Sequence, residues 1–318
     1  MPRERRAMLR AARGDRCGGA ASGRSHQRRT VENPGDGGEE TVVQTTVSQH
    51  CYSGEPGAGS TRFRNAVISR FPLSRTASLV RYPSGFQVDL HRAGTPTDEG
   101  SCWIPVPSEG FSRPVAVVTV KPPGGATAFN LVVVHLKSRR PMLSTRDSNN
   151  EAIGIARSAI QRNVEAAGLR CFLDGFLPAQ FKSNPAVPTF VMGDFNDTPT
   201  SVPLTNIRGS FDKVPGPASP WSKADRKRLV SCARLHLKRA AHEDKLYSYI
   251  HEESFSLIDQ VLVSEHGVGR FKRMEVYNDH LLRHQQTRED TEVARQWKSC
   301  VSDHGIVVVE LVRMLRAH

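Results

Sequence analysis

The residues of this 318-residue chain whose types and neighbours can do chemistry are Asp194, Asn196, Asp259, His135, Asp303 and His304. Asp194 and Asn196 sit in Phe190-Val191-Met192-Gly193-Asp194-Phe195-Asn196-Asp197, an apolar run that stops at a glycine and turns polar. Such a run reads as a buried strand that delivers side chains at its end. Two positions apart on extended backbone, the carboxylate and the amide face the same way. That pair can orient a water or hold a hard cation, with the amide donating to an anionic oxygen. Solvated turns use the same residue types, so this stretch does not decide alone.

Asp259 lies inside Leu257-Ile258-Asp259-Gln260-Val261-Leu262-Val263. A buried acid in an apolar run is costly unless paired, and a histidine is an obvious partner. Asp–His pairing fixes the imidazole tautomer and raises its basicity. Each group alone has a plainer reading: His135 as a hydrogen-bonded core histidine, Asp259 as a structural acid, Asp303 as a cap.

The elements that would position these groups are mostly strands. Asn65–Ser69 reads as a short strand. Val115–Val120 and Phe129–Val134 flank a Pro-Pro-Gly-Gly turn and predict an antiparallel hairpin whose second strand runs into His135-Leu136-Lys137-Ser138. Ile153, Ala156, Ile160, Val164 and Ala167 recur at helical spacing and predict a helix with that apolar face. Ala224–Ala241 reads as a strongly basic helix, either a solvated face or a phosphate-contacting surface. The segment before Ser302 reads as polar helix or loop, and Ile306–Val312 as the last strand. Strands outnumber helices and mostly end in polar groups, which predicts packed sheets with functional loops at one rim.

The totals agree with an anionic partner. The net charge is +12; residues 1–60 hold nine Arg and seven acids, net +2, so the remaining residues carry +10. A basic folded part favours nucleic acid, phosphorylated metabolites or anionic lipid. The six cysteines are scattered without a Cys-x-x-Cys pair, which argues against a zinc site or a disulfide framework. No apolar stretch reaches the roughly 18 residues of a bilayer span. The start is basic but lacks the apolar stretch of a secretory signal, so the chain as written reads as cytoplasmic, with an exported parent left open.

Five motifs then occur in order: Asn65-Ala66-Val67-Ile68-Ser69-Arg70-Phe71-Pro72-Leu73, Val133-Val134-His135-Leu136-Lys137-Ser138, Gly193-Asp194-Phe195-Asn196-Asp197, Ile258-Asp259-Gln260-Val261-Leu262-Val263-Ser264 and Ser302-Asp303-His304. Together they resemble the endonuclease/exonuclease/phosphatase superfamily, the deoxyribonuclease I-like metal-dependent phosphodiesterases. The resemblance implies an α/β fold of two packed, mostly antiparallel sheets flanked by helices, a four-layer sandwich. It implies phosphodiester hydrolysis with Mg²⁺, or Mn²⁺ in its place, most readily a nuclease acting on nucleic acid; a lipid or phosphoinositide phosphodiesterase is the alternative within the enzyme class. By the same resemblance Asp194 would position or deprotonate the attacking water and Asn196 would hold a phosphate oxygen. His304 would contact the scissile phosphate with Asp259 orienting its ring, and His135 would be a second phosphate-facing histidine. Asp303 would help at the metal, and Asn65 and Lys137 would bind substrate.

The pattern departs from the family at its start. An Asn-bearing strand and a strand ending in Gln-Glu, whose Glu is the principal metal ligand, are expected upstream of Asn65, and residues 1–60 supply neither. The expectation is a leader over 1–60, disordered or non-native with one strand near Val42–Val47 and a loop to Ser60, followed by a domain over 61–318. Two explanations follow: a truncated or mis-started reading, or a divergent member that binds its cation through Asp194, Asp259 or Asp303 alone. Missing interior strands would expose apolar sheet surface, so poor solubility and marginal stability are expected. The non-enzyme alternative is a binding module that keeps the phosphate-facing groups.

Overall fold

A computed structural model of the chain describes residues 50–53, 65–86, 88, 110–122, 128–143, 150–209, 227–239, 246–251, 253–286 and 301–312. The strand expected at 42–47 lies outside them. A short strand follows at β1 (His50–Ser53), within a stretch that reads as loop, and pairs antiparallel with β2 (Ala66–Ser69).

The centre of the fold is a six-stranded sheet. Its first three strands are β3 (Leu73–Arg81), β4 (Gly110–Val120) and β5 (Phe129–His135), joined antiparallel; β4 and β5 form the hairpin expected around the Pro-Pro-Gly-Gly turn, and β3 was not foreseen. From β5 the chain crosses through α1 (Glu151–Ser183) and returns as β6 (Thr189–Asp194), parallel to β5. After α2 (Val202–Arg208) come β7 (Leu229–Ser231), α3 (Cys232–Arg239), the small hairpin β8 (Tyr249–His251) and β9 (Ser254–Ser256), and then β10 (Asp259–Ser264). β10 inserts antiparallel between β6 and β7, giving the order β3-β4-β5-β6-β10-β7. The second sheet is the ribbon of β11 (Phe271–Tyr277) and β12 (Ile306–Leu311), with α4 (Asp279–Gln286) between them in sequence.

Successive side chains on a strand face opposite ways, and this builds two cores. Val132, Val134, Val191 and Leu262 pack with Leu169, Leu173 and Leu177 of α1 and Leu204 and Ile207 of α2. The alternate residues Phe190, Val261 and Val263 pack with Phe271 and Met274 of the ribbon and Cys232 and Ala233 of α3. The fold is therefore mixed α/β, with helix, sheet and sheet in layers. Ile306 and Val308 on β12 stay exposed.

Three local expectations change. The helix after His135 runs to Ser183, and its first turns present a different face: Ile153 and Ile160 are exposed, whereas Gly154, Ser158, Gln161, Arg162 and Glu165 are buried. The loop at 137–143, rather than an apolar sheet, covers the start of the helix. The basic helix is interrupted: Leu229–Ser231 is a strand, and the described helix begins only at Cys232. Pairing with β10 overrides local helical preference there. The segment read as polar contains β11, whose alternation is hidden by a register shift between Phe271 and Arg273. The irregularity leaves Lys272 and Arg273 both facing solvent, so period two is lost to the eye.

Candidate active site

Three neighbouring strands bring their ends to one rim. In register, His135 at the end of β5 lies beside Asp194 at the end of β6, which lies opposite Asp259 at the start of β10. Sequence positions 135, 194 and 259 thus form one row across the sheet. Gly193 makes the row compact: its φ is +135°, and a Cβ there would lie 2.0 Å from the Val134 carbonyl oxygen. No side chain fits at that distance.

His135 Nε2 approaches Asp194 Oδ2 at 3.3 Å. On the other side, His304 Nδ1 and Asp259 Oδ2 are 2.7 Å apart, the Asp–His pair that the buried acid calls for. His304 is carried in by a bridge to Tyr249 of β8, and its backbone carbonyl lies 3.1 Å from His280 Nε2. The start of β10 is fixed by Ser248 Oγ, which accepts from the amides of Ile258 and Asp259. Asn196 adopts a left-handed φ of 52°, and its backbone N–H donates to Asp194 Oδ1 at 2.7 Å. Its side-chain Nδ2 donates to Asp194 Oδ2 at 3.1 Å and to the Leu136 carbonyl at 2.9 Å. Reversing the amide would set its oxygen against two acceptors, so this orientation is the favourable one.

Beneath the rim, α1 holds both site loops. Glu165, almost fully buried, accepts from the backbone N–H of Lys137 at 2.7 Å and of Ser112 at 3.0 Å. The Leu136–Lys137 peptide is therefore gripped on both sides, because its carbonyl also accepts from Arg113 Nη1 at 3.0 Å. Arg162 Nε donates to Asp197 at 2.8 Å, and Arg139 spans Asp197 and the Asn196 carbonyl. Gln260 Nε2 donates to the Asp197 carbonyl at 3.2 Å.

Burial and the neighbouring Asp259 charge push the Asp194 carboxyl up to about 6, against the pull of His304, the Asn196 amide and Arg113. Burial, with Arg113 and His304 nearby, pushes His135 down to about 3. At neutral pH its approach to Asp194 is therefore a polar contact and not an ion pair. His304 shifts the other way: burial opposes its charge, but the hydrogen bond and charge of Asp259, with Asp194 and Asp303, outweigh it and raise the ring's pKa.

One oxygen each from Asp194 and Asp259 and one ring nitrogen of His304 lie within 4.8 Å of one another. Two desolvated carboxylates facing each other form a donor set that a divalent cation would relieve, so these residues fit such an ion.

The family model for the endonuclease/exonuclease/phosphatase family matches residues 10–304. The chain belongs to this family. Its members are generally divalent-metal dependent. The match begins well before Asn65, where the readable motifs start. No curated protein sequence matches the chain. Among solved structures, it is similar to the 3′ phosphatase NExo from Neisseria bound to a product DNA hairpin, at 13% identity and TM-score 0.43, covering 83% of this chain and 79% of that one. It is also similar to an endonuclease/exonuclease/phosphatase family protein from Bacteroides thetaiotaomicron, at 16% identity and TM-score 0.43, covering 84% and 77%. A mannosyl-6-phosphatase from the same organism is 17% identical with TM-score 0.42, covering 83% and 77%.

Within this family fold, the expected site residues divide. Asp194, Asn196, Asp259, His304 and His135 converge. Asn196, however, spends its amide hydrogens on Asp194 and Leu136, so it holds the carboxylate where a phosphate contact was expected. Asn65 is buried, with its amide donating to the Pro114 and Val133 carbonyls. Lys137 lies at the rim with Nζ on Ser138 and on the Arg140 carbonyl, and burial lowers its pKa. Asp303 is exposed and outside the three-residue donor group, acting on His304 only through its charge. The Glu-bearing strand expected upstream falls where residues 1–49 lie outside the described ones.

Sequence reasoning missed Arg113, Arg162, Glu165, Asp197 and Tyr249. Asp197 was in view beside Asn196. The interleaved polar residues of α1 were the one available sign of Arg162 and Glu165. No helix among the described residues is long and apolar enough to cross a membrane.

Proposed function

We propose that this chain hydrolyses phosphodiesters in nucleic acid by in-line attack of a water that Asp194 orients. The observation that carries the reading is Asp194 directly opposite Asp259 across β6 and β10, with His304 hydrogen-bonded to Asp259. Asp194 and Asp259 would hold the divalent cation, Mg²⁺ or Mn²⁺, and His304 is kept for the phosphate. When bound, the ion supplies charge for the phosphoryl oxygens and acidifies water.

The chain's own groups have separable tasks. Asn196 fixes both oxygens of Asp194, so the carboxylate reaches a water in one orientation. Asp259 holds Nδ1 of His304, leaving Nε2 to donate to a phosphate oxygen; the raised pKa keeps that donor protonated further toward neutral pH. His135, neutral at working pH, adds a polar contact to Asp194 without competing for the cation. The basic excess outside residues 1–60 favours a polyanionic substrate. The domain is taken as residues 61–318, with β1 (His50–Ser53) of the preceding segment 1–60 paired onto it.

The test is nicking of supercoiled plasmid in Mg²⁺ and in Mn²⁺, with EDTA, Asp194→Ala and His304→Ala controls. Nicking that disappears in all three controls is expected. Nicking that survives EDTA or Asp194→Ala overturns the site. Absence of turnover together with retained binding to DNA favours a binding module.

A further inference from the structure

Arg140 and Tyr249 are side chains beside the site whose polar ends have no partner among the described residues. The loop from Lys137 to Leu143 forms one wall. Its backbone is pinned at Arg140, whose carbonyl accepts from Ser158 Oγ at 2.6 Å and Lys137 Nζ at 3.3 Å. Pro141 restricts the Arg140 backbone further. The loop sits tightly on α1: a Cβ on Gly154 would lie 2.9 Å from Pro141 Cβ, and the Met142 N–H donates to the Gly154 carbonyl. A stiff loop thus presents two neighbouring arginines with different duties. Arg139 is spent on Asp197 and the Asn196 carbonyl. The Arg140 guanidinium is exposed and has no hydrogen-bonding or ionic partner among the described residues.

The second wall is Tyr249 of β8, at the His304 end of the row. Its ring lies 5.0 Å from the His304 ring, tilted by 42°. Its hydroxyl has no hydrogen-bond partner among the described residues. Arg139 of the loop reaches the Asn196 carbonyl and the Tyr249 ring lies against His304, so the two walls flank the acidic row. An aromatic face beside the histidine and an uncommitted guanidinium on a fixed loop are complementary to a base and a phosphate.

We propose that Tyr249 and Arg140 form a subsite for the nucleotide adjoining the scissile phosphate, with its base or sugar against the Tyr249 ring and its own phosphate on the Arg140 guanidinium. This rests on the phosphodiesterase reading and sharpens its substrate: an oligonucleotide with a second phosphate next to the cleaved one. Arginine suits the task because its planar fork meets two phosphate oxygens, and the rigid loop limits the ordering cost.

The experiment has a turnover arm and a binding arm. Turnover of TpT, with one phosphate, is compared with TpTpT, with two, in Mn²⁺. Wild type is expected to prefer TpTpT through KM. Arg140→Ala removes that preference by about tenfold, the scale of one charge-assisted contact, and leaves TpT unchanged. Arg140→Lys recovers part of it. Tyr249→Leu raises KM for both about tenfold at constant kcat, and Tyr249→Phe, which keeps the ring, does not. In the binding arm, anisotropy of fluorescein-labelled dT8 in EDTA is expected to show about tenfold weaker binding by Arg140→Ala. A wild type that binds dT8 and turns over neither substrate defeats the hydrolysis reading alone. Arg140→Ala that binds dT8 like wild type, or Tyr249→Phe as damaging as Tyr249→Leu, overturns the subsite.

Discussion

The two halves of α1 face the same side of the molecule and bury opposite chemistry. From Leu169 onward the helix lays Leu169, Leu173 and Leu177 on the sheet. Before that it buries Ser158, Gln161, Arg162 and Glu165 under the loops that carry the candidate site. The apolar half gains from removing hydrocarbon from water, a term that tolerates small shifts. The polar half gains only when each donor meets its acceptor, so it fixes geometry more than it adds stability. One helix therefore anchors the fold with its second half and sets the positions of site atoms with its first.

Substitutions in the two halves should separate these roles. Leu173→Ala is expected to cost the most stability, about 2–5 kcal/mol, through a cavity in the core. Chemical denaturation reads that loss, while kcat per folded molecule stays within about twofold because no site atom moves. Glu165→Gln should reverse the balance. It turns one acceptor into a donor facing backbone N–H groups, at about 1–3 kcal/mol. The loosened Leu136–Lys137 peptide should lower kcat about ten- to hundredfold, since misplacement of about 1 Å has that effect. If kcat per folded molecule falls no further than in Leu173→Ala, the division of labour is wrong.

The smallest effect is a gain. The Asp194 carboxyl is raised from 3.8 to about 6. A raised acid binds more protons folded than unfolded, so it costs stability increasingly as pH climbs from about 4 to about 6, and constantly above that. Asp194→Asn in EDTA should therefore stabilise the protein at pH 7 by about 1–2 kcal/mol, after allowing for one hydrogen bond lost at Asn196. Melting curves should converge near pH 4. A variant equally unstable at every pH would mean that the row carries no electrostatic penalty.

Those halves also explain what sequence reveals. Apolar runs bounded by turn and polar residues made β4, β5, β6 and β10 legible, and with them Asp194 at a strand end and Asp259 within its run. Asp259 announced its partner because an acid in an apolar run must be compensated, and His304 is that partner. The polar half of α1 carried a misleading sign: Ile153 and Ile160 mark an apolar stripe, yet both are exposed. A helix face reads correctly from periodicity only where an apolar sheet covers it, and here the cover is the mixed loop at 137–143. β11 was hidden by its irregular pairing, and β7 by a basic sequence that resembles helix until β10 pairs with it. Asn65 shows that a motif residue can serve the backbone, here the carbonyls of Pro114 and Val133.

Gly193 has a consequence for reading other copies of this chain. Because the Val134 carbonyl occupies the place of its Cβ, any other residue there must push β6 from β5 and part Asp194 from His135. The single letter before the aspartate therefore reports whether the row can close, even in a copy that keeps every aspartate and histidine.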